Sequence, residues 1–106
     1  MEDNEQSAFK LILHSGNARS LAYEGLGLIK SGKKEEGLAL YNEAKKELLE
    51  AQKKHSEFLH RAVTEQQENV PLLLIHAEDH ISSSQVVVEL VKEIMDLYGR
   101  LGDKSE

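Results

Sequence analysis

Two apolar seams on one helical segment are the feature that most limits what this chain can fold into. The first seam steps alternately by three and four positions: Leu73, His76, His80, Ser83, Val87, Leu90, Ile94, Leu97 and Leu101. The second seam runs beside it: Leu74, Ala77, Ile81, Ser84, Val88, Val91, Met95 and Tyr98. Steps of three and four keep side chains on one side of a helix. Two such seams predict that this helix packs against more neighbours than a three-helix monomer provides.

The rest of the chain predicts two further helices and no strand. One proline and many Leu, Ala, Glu and Lys residues favour helix. The expected helices run from about residue 5 to 29, from about 34 to 68, and from Asn69-Val70-Pro71 to Leu101-Gly102, with Ser31-Gly32 ending the first. We therefore expect an all-α, antiparallel three-helix bundle, a single domain over residues 1–106. One of the two seams would then be left without a partner in the monomer, and a homo-oligomer built around the third helix would bury it. The alternative is a monomer whose larger core buries both seams.

The first two helices are expected to carry one apolar stripe each. The stripe of the first helix consists of Leu11, Ala18, Ala22, Gly25 and Ile29. The stripe of the second consists of Leu38, Tyr41, Ala44, Leu48, Ala51, His55, Phe58 and Ala62. Glycines weaken a helix unless a close helix–helix approach compensates them. We expect such an approach at Gly16, Gly25 and Gly27.

Charge and composition exclude several classes of function. Thirteen basic and nineteen acidic residues give a net charge of −6, which argues against a nucleic-acid-binding or anionic-membrane surface. The chain has no cysteine, so a disulfide framework, a thiolate nucleophile and a cysteine-ligated zinc are excluded. The acidic start of the sequence does not resemble a signal peptide, and no segment reaches the roughly 20 apolar residues of a membrane span. A soluble cytoplasmic protein is expected.

A polar cluster interrupts the first seam of the third helix. His76, Asp79, His80 and Ser83 share one face of the helix near its start, on the side that we expect to be buried. Buried structural histidines, a divalent-metal site and phosphotransfer on a nucleophilic imidazole all fit this spacing. A hydrolase with His76 as base and Asp79 as its orienting partner fits less well, because the sequence around them does not have the context of a serine or cysteine nucleophile. Spacing alone leaves the metal site and phosphotransfer open.

Two motifs resemble one known family. Leu72-Leu73-Leu74-Ile75-His76-Ala77-Glu78-Asp79-His80 is similar to the His-Ala-Gln-Asp-His stretch of the lactose/cellobiose/diacetylchitobiose-type enzyme IIA of the bacterial sugar phosphotransferase system (PTS). Gly16-Asn17-Ala18-Arg19-Ser20 resembles that family's Gly-[Asp/Asn/Glu]-Ala-Arg-Ser. The two motifs occur in the family's order, and the resemblance extends over nearly the whole chain.

The resemblance implies a phosphocarrier function. His76 would accept a phosphoryl group from the histidine-containing phosphocarrier protein HPr, as a phosphohistidine, and pass it to enzyme IIB. That relay serves a membrane permease, enzyme IIC, in the uptake of a β-disaccharide, cellobiose or diacetylchitobiose rather than lactose, without direct sugar binding. The resemblance also implies a homotrimer through the third helix, with Asp79 of each copy binding a divalent ion, Mg²⁺, at the axis. His80 and Arg19 would support the site.

The sequence departs from the family pattern at a few positions. Glu78 replaces the family's Gln, and its carboxylate would disfavour a phosphoryl group if it faced His76, so we expect it to point outward. We expect His55 to be a packing residue, and His14 and His60 to lie on the surface. The alternative function is a non-catalytic helical trimer that acts as a scaffold, a regulator or a metal-holding protein.

Overall fold

The computed structural model describes residues 2–65 and 72–104, and the side chains of residues 6–65 and 72–102. Three α-helices account for nearly all of that part of the chain: α1 (Glu2–Lys30), α2 (Lys34–Thr64) and α3 (Leu72–Lys104). The predicted all-α, three-helix architecture is therefore confirmed. The second helix ends at Thr64, earlier than predicted, and the expected start of the third at Asn69-Val70-Pro71 lies outside the described residues.

The turn between α1 and α2 is a helix stop built on glycine. Gly32 adopts a φ of 86°, a left-handed conformation that glycine enters without steric cost. The amide of Gly32 donates to the carbonyl of Ile29 at 3.0 Å, and the amide of Lys33 donates to the carbonyl of Leu28 at 2.8 Å. This pair of bonds is a Schellman motif, which caps the last carbonyls of α1. The predicted stop at Ser31-Gly32 is confirmed.

The core is formed where the stripes of the three helices meet. Leu11, Ala18 and Ala22 of the α1 stripe are almost completely buried, as are Ala44 and Ala51 of the α2 stripe. The second seam of α3 faces inward, and its buried members are Leu74, Ala77, Ile81, Ser84, Val88, Val91 and Met95. Larger side chains from all three helices, among them Leu11, Phe58 and Met95, fill the space between these small residues. The second seam is thus the one that builds the monomer core.

Two glycines set how closely α1 and α2 pack. A Cβ atom at Gly25 would lie 2.7 Å from the carbonyl oxygen of Gly37, and a Cβ at Gly37 would lie 2.6 Å from the carbonyl oxygen of Gly25. The helix backbones therefore touch at this point, which confirms the expectation for Gly25. It was wrong for Gly16 and Gly27, because a Cβ there would meet nothing within 4 Å.

The first seam of α3 stays on the outside of the bundle. Its later leucines remain largely exposed, with Leu90 at 57%, Leu97 at 58% and Leu101 at 63% of their full accessible surface, whereas Leu73 at its start is half-buried. A monomer of these three helices therefore uses only one of the two seams, as the sequence predicted. None of the described helices has an apolar stretch long enough to cross a lipid bilayer.

Candidate functional site

The polar cluster occupies the second to fourth turns of α3. His76, Asp79 and Ser83 are exposed and His80 is half-buried. The expectation that these residues face the buried side of the helix was therefore wrong for the single chain. Helical periodicity correctly predicted that these residues share one face of α3. That face is exposed, however, because α1 and α2 pack against the opposite side of the helix. An open position makes His76 accessible to a macromolecular partner.

The two histidines of the cluster contact each other directly. The Nε2 atoms of His76 and His80 are 3.2 Å apart, within hydrogen-bond distance. Their ring centroids are 4.6 Å apart and the rings are perpendicular. The i, i+4 spacing places the rings one above the other on the helix surface, which makes this contact possible. One nitrogen of the pair has to be the donor and the other the acceptor.

Helix α1 contributes a cation to the edge of the cluster. The Nη1 of Arg19 lies 3.5 Å from the Oγ of Ser83, at the outer limit of a hydrogen bond. The Ser83 hydroxyl in turn donates to the carbonyl of His80 at 3.2 Å. Among the described residues, Arg19 makes no ion pair. Arg19 and His80, the two supporting residues proposed from the sequence, do lie on the same side of the bundle.

A buried pair of serines fixes the register between α1 and α3 beneath this edge. The Oγ of Ser84 donates to the carbonyl of Ser15 at 2.8 Å, and both serines are fully buried. The Oγ of Ser15 donates within its own helix to the carbonyl of Leu11 at 2.9 Å. These buried hydroxyls are satisfied, so they align the helices without an unpaired polar group. The same register brings Arg19 to Ser83.

Asp79 lies on an exposed apolar stripe along α3. We call this surface the α3 stripe; its apolar members are Leu72, Ile75, Val86, Leu90, Ile94, Leu97 and Leu101. Asp79 and Leu97 are 18 residues apart, five helical turns, and so project in the same direction. A shallow depression of about 510 Å³, lined by Leu72, Leu73, Ile75, His76 and Asp79, lies at the start of the stripe. The cluster therefore combines an accessible imidazole, a carboxylate and an apolar surround.

The described part of a single chain does not contain three His, Cys, Asp or Glu side chains arranged around a common point. Asp79 supplies only one carboxylate, so a metal site would have to be completed by other copies of the chain. Glu78 is exposed, two residues after His76 and so about 200° around the helix from it. Its carboxylate does point away from the acceptor candidate, as expected.

The remaining histidines lie outside the cluster. His14 is not a plain surface residue, because its Nδ1 lies 2.5 Å from the Oε2 of Glu47 and it is half-buried between α1 and α2. The Nε2 of His55 is buried and has no hydrogen-bond partner in the described structure. His60 is exposed, as predicted. The His14–Glu47 contact joins residues 33 positions apart, and no local sequence pattern indicates it.

Comparison with known proteins identifies the family. Residues 6–99 match the family described as "PTS system, Lactose/Cellobiose specific IIA subunit". The chain belongs to this family. The resemblance carried by the motifs at Gly16–Ser20 and His76–His80 is thereby confirmed.

Individual PTS IIA proteins are similar over almost the full length. The oligo-beta-mannoside-specific EIIA component of Bacillus subtilis (strain 168) is 43% identical over 95 residues, covering 90% of this chain and 86% of that protein. The crystal structure of the cellobiose-specific enzyme IIA of Bacillus anthracis superimposes with a TM-score of 0.89 at 39% identity, over 98% of this chain and 95% of that one. The IIA fold is therefore shared closely with characterised members.

A third relative has been solved together with a partner. A chain of the solution structure of the IIA(Chitobiose)–HPr complex of Escherichia coli matches with a TM-score of 0.84 and 31% identity, covering 93% of this chain and 96% of that chain. In that structure, a IIA protein of the same fold forms a complex with HPr. It bears on the partner of the present chain, which is taken up below.

Proposed function

We propose that this IIA chain accepts a phosphoryl group from HPr on His76 and passes it to a cysteine of enzyme IIB. One observation supports this proposal most: an exposed imidazole, within 3.2 Å of a second imidazole, borders an apolar depression at the start of the α3 stripe. The similarity to a IIA protein that forms a complex with HPr supports the choice of donor. The relay would operate in the cytoplasm and serve enzyme IIC.

The chemistry requires little of the protein beyond position and protonation state. A neutral imidazole nitrogen of His76 attacks the phosphorus in line with the breaking bond to the donor histidine, which recovers its own lone pair. In the second transfer a thiolate of IIB attacks, and His76 recovers its lone pair as the P–N bond breaks. A rigid helix holds the imidazole in place, and a docked partner excludes water from the transfer.

The α3 stripe supports a trimer around the third helices. A single chain leaves more than half of the surface of Leu90 and of Leu97 open to water, along a helix whose other seam is already buried. Contiguous exposed apolar surface of this kind marks an association site. Symmetric packing of three copies would cover the stripe and leave His76 at its edge, where a transient partner with a modest contact area can reach it.

Asp79 supports a divalent-ion site in such a trimer. A carboxylate within an apolar contact is costly unless a cation or hydrogen bonds compensate its charge. Three copies of Asp79 would meet near the axis, and carboxylate oxygens are the ligands that Mg²⁺ and Ca²⁺ prefer. Replacing Asp79 with Leu should remove bound metal from the purified oligomer while leaving His76 phosphorylated. Unchanged metal content, measured by atomic emission, would contradict this role.

The permease, and not the IIA chain, determines which sugar is transported. The names of the relatives nevertheless indicate a class of sugar. The B. subtilis relative is named for oligo-beta-mannosides and the B. anthracis relative for cellobiose. We propose a β-linked disaccharide or short oligosaccharide as the sugar, with cellobiose or diacetylchitobiose preferred to lactose. The IIA chain itself is not proposed to touch the sugar.

The test is a reconstituted relay. Phosphoenolpyruvate, enzyme I, HPr, the present chain and a purified IIB of the cellobiose type are combined, and each protein is weighed by intact mass spectrometry. The proposal predicts phosphorylated IIB only when the present chain is included. If HPr becomes phosphorylated but neither this chain nor IIB gains mass, the relay is refuted and the non-catalytic scaffold becomes the better explanation.

A further inference from the structure

A group of apolar side chains near the start of α1 contributes little to the core. Phe9 and Leu13 are exposed over 62% and 65% of their surface, and Ile12 beside them is half-buried against the core. We call these three residues the α1 patch. The other phenylalanine, Phe58, is buried. An exposed aromatic side chain grouped with aliphatic ones is typical of a surface that binds another protein.

The register between α1 and α3 places the α1 patch at the height of His76. Successive helices run antiparallel, so α1 and α3 run in the same direction. The neighbouring pairs that show these directions are Gly25–Gly37 and His14–Glu47 between α1 and α2, and Gln52–Gln85 and Tyr41–Lys92 between α2 and α3. Ser15 and Ser84 are hydrogen-bonded and therefore lie at one height. Phe9 is six residues before Ser15 and His76 is eight before Ser84, so at 1.5 Å per residue their heights differ by about 3 Å.

Phe9 and His76 also face the same side of the bundle. The contact between Arg19 and Ser83 marks the outer edge at which α1 meets α3. His76 is seven residues before Ser83, two helical turns, and so projects in nearly the same direction. Phe9 is rotated by about 80° from Arg19 but by about 140° from His14, whose contact with Glu47 marks the α2 side of α1. The α1 patch and His76 therefore lie side by side on the open face of α1 and α3.

A protein that delivers a phosphoryl group to His76 has to cover this patch as well. Packed helices are about 8–10 Å apart, which with the small difference in height places Phe9 about 10 Å from His76. A transient complex buries about 600–800 Å² of each partner, and a disc of that area has a radius of about 14–16 Å. A contact area centred on His76 therefore extends over Phe9 and over Leu13, one helical turn further along α1.

We infer that the α1 patch is the part of the HPr docking surface that α1 supplies, with Phe9 as its main contact. This inference rests on the proposed function, because it takes His76 as the acceptor of the phosphoryl group. The depression at the start of the α3 stripe lies on the other side of the His76 ring. The imidazole is then placed between two apolar areas, and a donor protein seated on both would exclude water from the transfer.

The test measures transfer from purified phosphorylated HPr to the full chain at increasing HPr concentrations. Phe9→Gln should raise KM for HPr by about fivefold to thirtyfold with little change in kcat, because it removes a docking contact and leaves the acceptor intact. Leu13→Gln should raise KM less, by about twofold to fivefold. Tyr23→Gln is the matched control, since Tyr23 is an exposed side chain on the same face of α1. It lies about 21 Å further along the helix than Phe9, beyond the contact area, and KM should stay at the wild-type value.

A small donor separates docking from the reactivity of His76. In potassium phosphoramidate the P–N bond breaks and ammonia leaves as the imidazole attacks the phosphorus, and no docking surface is needed. Phe9→Gln should be labelled by this reagent at the wild-type rate. Slower labelling would overturn the inference, because Phe9 would then act on His76 itself.

The remaining outcomes distinguish the inference from the function on which it rests. An unchanged KM for HPr in Phe9→Gln, or an equal rise in Tyr23→Gln, would overturn the docking role. A lower oligomer mass of Phe9→Gln in light scattering would also overturn it, because the patch would then belong to a contact between copies of the chain. If the wild-type chain gains no phosphoryl group from either donor, the proposed function itself is refuted. Circular dichroism of each variant verifies that the helices are retained.

Discussion

Replacing Gly37 with alanine should destabilise the bundle even though alanine is the better helix former. The added Cβ would lie 2.6 Å from the carbonyl oxygen of Gly25 and 2.6 Å from the Cγ1 of Ile29, whereas ordinary van der Waals contact begins at 3.4 Å. One of these atoms belongs to the backbone, so α1 and α2 have to move apart by several tenths of an ångström. Gaps of about 0.5–1 Å forfeit a quarter to a half of the dispersion attraction between the atoms that they separate.

The expected magnitude follows from two opposing effects. Overpacking of this kind costs about 1–3 kcal/mol, and the exchange of glycine for alanine within a helix returns about 1 kcal/mol at most. A net loss of up to about 2 kcal/mol remains, which corresponds to a fall in Tm of up to roughly 15 °C for a domain of this size. Thermal unfolding followed by circular dichroism, at one fixed chain concentration, measures the change.

Gly27→Ala is the matched control. Gly27 lies on the same helix as Gly25, but a Cβ there would meet nothing within 4 Å. Only the gain in helix propensity applies, so stability should rise by up to about 1 kcal/mol. The two glycine-to-alanine changes are therefore expected to move Tm in opposite directions. A rise in Tm for Gly37→Ala would refute the close approach of α1 and α2.

Three further predictions concern the surface, the core and alkaline pH. Leu90→Gln should lower the oligomer mass measured by light scattering, whereas Leu49→Gln, at a similarly exposed leucine on α2, should not. Equal effects of the two changes would contradict the role of the α3 stripe. His55→Leu should stabilise the chain by about 1 kcal/mol in urea unfolding, because it removes a buried nitrogen without a partner; a loss of stability would mean that the nitrogen is bonded. Burial raises the pKa of Tyr41 above its ordinary value of 10.0, so the folded state holds that proton more tightly than the unfolded state. Its contribution is complete below about pH 10 and lost as pH rises further, and Tyr41→Phe should make the urea midpoint fall less between pH 9 and 11; an identical fall would contradict this.

The helices and most of the core could be predicted because helical periodicity depends only on local sequence. Leu74, Ala77 and Ile81 repeat at steps of three and four, and each is buried as predicted. The end of α1 at Gly32 could also be predicted from local sequence. It depends only on one residue in a left-handed conformation and on two backbone amides that bond to carbonyls of the last helical turn. Such features need no knowledge of the neighbouring helices.

The periodic pattern could not predict which face of each helix is buried by the neighbouring helices. Gly16, Gly25 and Gly27 are all glycines within α1, and the sequence does not distinguish them. Of these three, only Gly25 contacts the backbone of another helix, because Gly37 of α2 lies opposite it. The polar cluster at His76 was assigned to a buried face for the same reason: periodicity gives an angle around a helix, not the identity of what lies there. Pairs that depend on the register of two helices, such as His14 with Glu47, were missed altogether.

The central claim is that His76 carries the phosphoryl group, and the most direct measurement is the intact mass of the chain after incubation with phosphoenolpyruvate, enzyme I and HPr. The wild type, His76→Gln and His60→Gln are compared, the last being an exposed histidine on α2. We predict one acid-labile phosphoryl group on the wild type and on His60→Gln, and none on His76→Gln. A phosphoryl group retained by folded His76→Gln would contradict the account.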